Sequence, residues 1–85
     1  MNDNFTHRCN LNPGDIVLIK PRSGKISSLD LDHHYEIESK TMDGKFGIII
    51  DLQRDIDYRT ISSVEVMWNN IIWTLFPWEV QKIDQ

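Results

Sequence analysis

Four residues of this chain carry the side chains of a soft-metal site: His7, Cys9, His33 and His34. Such ligands hold zinc when each pair has two to four residues between its members, a spacing that lets one turn present both atoms to the ion. Here one residue separates His7 from Cys9 and none separates His33 from His34. The spacing therefore reads as solvated histidines, with no metal expected. Asp30-Leu31-Asp32 and Asp55-Ile56-Asp57 are paired carboxylates. Such pairs hold Mg²⁺ or divide acid and base roles. Neither has a glycine-rich phosphate loop or a nucleophile beside it, so both read as loop acids. Pro21-Arg22-Ser23-Gly24-Lys25 has the charge of a phosphate loop without its glycines or a following helix. What remains there is a basic turn. Lys20, Arg22 and Lys25 offer three cations to a nucleic-acid backbone or an acidic protein face. No nucleophile, metal or phosphate cradle emerges, so no enzyme activity and no cofactor are expected.

The aromatic residues suggest binding. Trp68, Trp73 and Trp78 recur every five residues. Tyr35, Tyr58, Trp73 and Trp78 could line a cage for a methylated cation, although no spacing makes them converge. Trp78 follows a proline and is the tryptophan expected to stay exposed. Met67 and Ile72 are expected to pair on the outer face of a hairpin, where a large apolar pair marks an interface or lies under a covering segment.

These residues must be held by strands. The chain has 85 residues, enough for one small domain. It contains 12 Ile, 4 Val and 8 aromatics but no Ala, a bias towards pleated, half-buried surfaces and away from helices. Nine basic residues stand against 13 acidic ones, for a net charge of −4. That balance disfavours a freestanding non-specific DNA binder, whose affinity comes mainly from phosphate contacts. A single cysteine, Cys9, forbids an intramolecular disulfide and fits a reducing cytoplasm or a virion assembled there. The polar start does not read as a secretory signal, and the longest apolar run, Ile48-Ile49-Ile50, is too short to cross a bilayer, so no membrane partner is expected.

Residues 1–12 read as an arm anchored chiefly by Phe5 and Leu11, and residues 13–85 as the folded unit. Asn12-Pro13-Gly14-Asp15 is a turn. Ile16 to Lys20 is the first strand, ended by Pro21. Residues 21–45 are expected to form an irregular hairpin folding back over the core, with a short strand near His34 to Glu38. Asp43-Gly44-Lys45 is a turn before the second main strand, Phe46 to Gln53. Strict alternation there puts Phe46, Ile48, Ile50 and Leu52 on one face, with Asp51 and Gln53 on the other. Gly47 suggests a bulge or a close backbone approach. A tight hairpin follows, turning at Asn69-Asn70, because Asn tolerates positive φ. Its register pairs Trp68 with Ile71, Met67 with Ile72, Val66 with Trp73, Glu65 with Thr74 and Val64 with Leu75. Val64, Val66, Trp68, Ile71, Trp73 and Leu75 then share the core face. Pro77-Trp78-Glu79 is expected as one 3₁₀ turn before a last strand, Val80 to Ile83.

This order of elements, with Gly14-Asp15-Ile16-Val17, Gly47-Ile48-Ile49, Val64-Glu65-Val66-Met67-Trp68 and Phe76-Pro77-Trp78-Glu79-Val80, resembles small SH3-like barrels, most closely those encoded by tailed phages. The resemblance covers about residues 12–84. It implies an all-β barrel of about five strands, with a long irregular loop after the first strand and one 3₁₀ turn before the last. The Ala-Leu-Tyr-Asp-Tyr segment, adjacent tryptophans and 3₁₀ tyrosine of peptide-binding SH3 domains are missing, so a polyproline groove is not implied. The expected function is a non-catalytic protein-interaction module, a phage-encoded accessory that docks on a virion part or a host machine through Tyr35, Met67, Ile72 and Trp78. The alternative is a nucleic-acid or transcription-complex binding module using Lys20, Arg22 and Lys25 with an exposed aromatic.

Overall fold

The structure is a computed structural model that describes residues 11–22, 24–29, 35–54 and 60–83. Within them the chain is mostly β. The strands are β1 (Ile16–Ile19), β2 (Lys25–Ser27), β3 (Glu36–Glu38), β4 (Phe46–Arg54), β5 (Ile61–Trp68), β6 (Ile71–Leu75) and β7 (Val80–Lys82). A single helical turn, α1 (Ser39–Met42), precedes β4, and a 3₁₀ turn at Pro77–Glu79 precedes β7. Sequence reasoning did not anticipate α1. The metal-ligand candidates His7, Cys9, His33 and His34, both Asp-x-Asp pairs, Phe5 and Tyr58 lie outside the described residues.

One antiparallel sheet has the order β6-β5-β4-β1-β7, and β2 pairs with β3 in a second. The hairpin expected in the long excursion is therefore present. Its strand β2 leads to the β6 edge, where Ser28 bridges Trp73 and the Leu29 amide donates to the Ile72 carbonyl at 2.8 Å. The closed barrel is not present. β6 and β7 stand at opposite edges of the larger sheet and are not paired with each other.

The inner face of this sheet builds the core. Val17, Ile19, Ile49, Val64, Val66, Trp73, Leu75 and Val80 are buried there. Ile26, Met42 and Leu11 complete the same cluster, from β2, α1 and the segment before the first turn. The first turn is fixed from two directions. Gly14 adopts φ 95°, which glycine takes without steric cost, and its amide donates to the Ile49 carbonyl at 2.7 Å. The Asn12 amide donates to Asp15 Oδ2 at 2.9 Å.

The hairpin register is the expected one at all five pairs, Val64 to Leu75 through Trp68 to Ile71. Asn69 and Asn70 have φ of 57° and 64°, the left-handed pair that matches the twist of a two-residue loop. Trp73 is buried, and its Nε1–H donates to the Trp68 carbonyl at 3.1 Å.

β4 departs from strict alternation. Ile49 pairs with Val66, but the next pair is Asp51 with Glu65, so Ile50 is an extra residue in a β-bulge. The bulge changes the phase of the strand. Ile48 and Asp51 lie on the outer face, while Ile49 and Leu52 lie on the inner one. Phe46, Ile48, Ile50 and Leu52 therefore do not share a face. Gly47 belongs to the inner face and makes the close approach expected of it. A Cβ at this position would run into Val66 Cγ1 and lie 3.0 Å from the Met67 carbonyl oxygen.

Candidate functional site

The outer face of the five-stranded sheet carries a continuous apolar belt. Its central row follows directly from the strand register. Ile16 pairs with Ile48, Ile48 with Met67, and Met67 with Ile72, so one apolar residue stands on each of four adjacent strands. The Ile83 amide donates to the Ile16 carbonyl at 3.0 Å and extends the row past β7. A second row adjoins it, with Phe46 opposite Leu18 and Leu18 opposite Gln81. Ile16, Phe46 and Ile48 expose 42%, 59% and 46% of their surface, and the bulged Ile50 exposes 41%. Leu18, Met67, Ile72 and Ile83 are half-buried between them. Scattered exposed apolar residues are ordinary, but a contiguous patch is the mark of a contact surface.

Charges flank the belt asymmetrically. On one side Asp51 stands directly opposite Glu65, and Glu65 opposite Thr74. Like charges placed across a strand pair repel and lower stability. Among the described residues their oxygens meet only uncharged donors, the Leu52 amide at 2.8 Å from Asp51 Oδ1 and Gln53 Nε2 at 3.4 Å from Glu65 Oε2. On the other side lies Lys20, which continues the outward alternation of Ile16 and Leu18, whereas Lys45 stands opposite the buried Ile19 on the inner side of the sheet. Both are exposed, and among the described residues neither forms an ion pair.

A second, smaller feature lies at the 3₁₀ turn. The rings of Phe76 and Trp78 stack with centroids 4.7 Å apart and planes 4° from parallel, and both side chains are exposed. Beneath them the Glu79 carboxylate is buried. Its Oε1 accepts from the Phe76 amide at 3.0 Å and its Oε2 from the Arg22 amide at 2.7 Å. The Lys20 amide donates to the Glu79 carbonyl at 2.7 Å. The start of the basic loop is thus fastened to the aromatic turn.

Of the four residues expected to bind protein, Met67 and Ile72 adjoin each other at the centre of the belt. Trp78 belongs to the aromatic stack instead. Tyr35 is exposed just before β3, where its amide donates to Ser28 Oγ at 2.9 Å. Of the four, the strand register brings together Met67 and Ile72. The basic trio also separates: Lys20 and Arg22 flank the 3₁₀ turn, whereas Lys25 lies in β2 opposite Glu38, with its Nζ 3.8 Å from Glu36 Oε1. Trp73 is buried and cannot serve an aromatic cage. Sequence reasoning missed Ile16, Phe46, Ile48 and Phe76 as surface residues. For Ile48, the usable signal was its neighbour Gly47, a residue whose place is against another backbone.

Among the described residues no group of three or more His, Cys, Asp or Glu side chains comes together, and no helix is long and apolar enough to cross a membrane. Comparison with family models, curated proteins and solved structures finds no match to the chain.

Proposed function

We propose that this chain is a non-catalytic protein-interaction module and that the outer face of its larger sheet is the docking surface. The observation that carries the reading is the unbroken row Ile16, Ile48, Met67 and Ile72 across four paired strands. A strand pair holds its side chains rigidly, so such a surface loses little conformational entropy on binding. Its apolar centre and charged margins are the composition of a protein contact patch. The order of elements, with a long excursion after the first strand and a 3₁₀ turn before the last, supports the resemblance to phage-type SH3-like proteins. On that resemblance the module is an accessory of a virion part or of a host machine, acting in the host cytoplasm or in the particle.

A second reading rests on the basic end. The backbones of Lys20 and Arg22 are fastened to Glu79, in the turn that carries the stacked Phe76 and Trp78, so basic and aromatic residues sit on neighbouring segments, the residue types that single-strand binders combine. Net charge and the pairing of Lys25 with Glu36 weigh against it.

The two readings are separated by a photo-cross-linking residue placed at Ile48 in one variant and at Arg22 in another, irradiated in the producing cells. The protein-docking reading expects protein adducts from position 48. Adducts containing nucleic acid from position 22, with none from position 48, would reverse the choice.

A further inference from the structure

We infer that the partner on the outer face is a single segment of another protein, apolar at one end and carrying an arginine at the other, lying along β4 and β5. The inference rests on the docking reading above and names the chemistry of its occupant. The curvature of the sheet sets the shape of that occupant. β6 and β7 are the two edges, and in a flat sheet four strand spacings of about 4.8 Å would hold them roughly 19 Å apart. The link between them is Phe76 to Glu79, and Pro77–Glu79 is a 3₁₀ turn. Such a turn rises only about 2 Å per residue, so the link is too short to cross a flat sheet. The edges are drawn together around the core, and the outer face is convex. A flat partner would touch it along a line. β4 and β5, with nine and eight residues, are the strands long enough to support a segment lying in the strand direction.

Along these two strands the face changes character. Phe46 and Ile48 on β4 and Met67 on β5 are apolar, and beyond them Asp51 stands opposite Glu65. Glu65 lies on the same face as Met67, about 7 Å along the strand. Neither carboxylate has an ionic partner among the described residues, and Glu65 is half-buried. Residues directly opposite in an antiparallel pair hold their Cβ atoms about 5 Å apart, and like charges so placed repel. A guanidinium presents its donors in a planar fork that bonds two carboxylates at once, whereas a lysine ammonium is a compact point charge. An arginine seated over Asp51 and Glu65 cancels their repulsion, and apolar side chains about 7 Å from it cover Met67, Ile48 and Phe46. The contact is narrow and belongs among the small, transient interfaces of less than about 1,200 Å².

The test is selection from a random linear peptide display library on the immobilised full chain. Peptides retained by the wild type but not by Ile48→Asp are expected to carry an arginine beside apolar residues. Their affinity, read by fluorescence anisotropy, should fall about tenfold on Asp51→Asn with Glu65→Gln, and the difference should shrink at high salt. That variant has lost a like-charge pair, so its thermal melt should lie at or above the wild type, which separates lost binding from unfolding. A parallel selection on Asp51→Lys with Glu65→Lys should replace the arginine by aspartate or glutamate. Peptides that need Ile48 but carry no basic residue, or that bind the neutralised variant as tightly as the wild type, would overturn the arginine while leaving the docking face in place. A library yielding no peptide that distinguishes the wild type from Ile48→Asp would overturn the segment, and the docking reading would then be judged by the adducts from position 48.

Discussion

The backbone amide of Arg22 donates to the buried carboxylate of Glu79 at 2.7 Å, joining two points 57 residues apart in the chain. The other oxygen of that carboxylate accepts from Phe76 at 3.0 Å. One side chain therefore fastens both the 3₁₀ turn and the start of the long excursion. Glu79→Ala leaves two amides without their acceptors and should cost about 2–4 kcal/mol. Glu79→Gln keeps one acceptor but turns an NH₂ group towards the other amide, and should cost less. Urea denaturation of the two variants gives the ranking directly.

Gly47 lies in β4 between β1 and β5, against Val66 and Ile19. Gly47→Ala would press its methyl group on Val66 and on the Met67 carbonyl, with Ile19 Cδ1 3.3 Å away. Overpacking of this kind costs about 1–3 kcal/mol. Gly24→Ala is the control, since nothing lies within 4 Å of a Cβ there. Its melting temperature should stay at the wild-type value.

The hairpin provides a neighbouring pair with opposite fates. Trp73→Ala removes a buried ring and its hydrogen bond to Trp68, and should cost about 3–5 kcal/mol. Thr74→Ala touches an exposed side chain and should stay within about 0.5 kcal/mol. Equal shifts in denaturant midpoint would contradict the register.

The turn of that hairpin can be improved. Asn70 holds φ 64°, a region that costs an L-residue energy and glycine none. Asn70→Gly should raise stability by a few tenths of a kcal/mol, whereas Asn70→Val should lower it by about 1–2 kcal/mol, both read from thermal melts.

The parts of this fold legible in the sequence are those where polar and apolar residues alternate without interruption. Val64 to Leu75 has two distinct faces and a turn made of residues that accept positive φ, so only one register buries the tryptophan. The belt was half legible for the same reason: Met67 and Ile72 fall opposite each other in that register. Its other half was hidden by Ile48-Ile49-Ile50. Three identical side chains carry no phase, and a bulge at Ile50 lets the strand present Ile48 outward and Leu52 inward. Counting by twos through such a run crosses the bulge unseen. The open sheet was likewise not legible, because the residues at the β6 and β7 edges do not by themselves say whether the two edges meet.

Loss of binding is the most direct measure of the docking face. Partner capture by Ile48→Asp should fall to background while its far-UV spectrum and melt match the wild type, since Ile48 is an outer-face residue. Capture by the Lys20→Gln, Arg22→Gln variant should fall only slightly, and chiefly at low salt. Full capture by Ile48→Asp, with loss in the variant lacking the two cations, would contradict the account and move the binding surface to the basic end of the sheet.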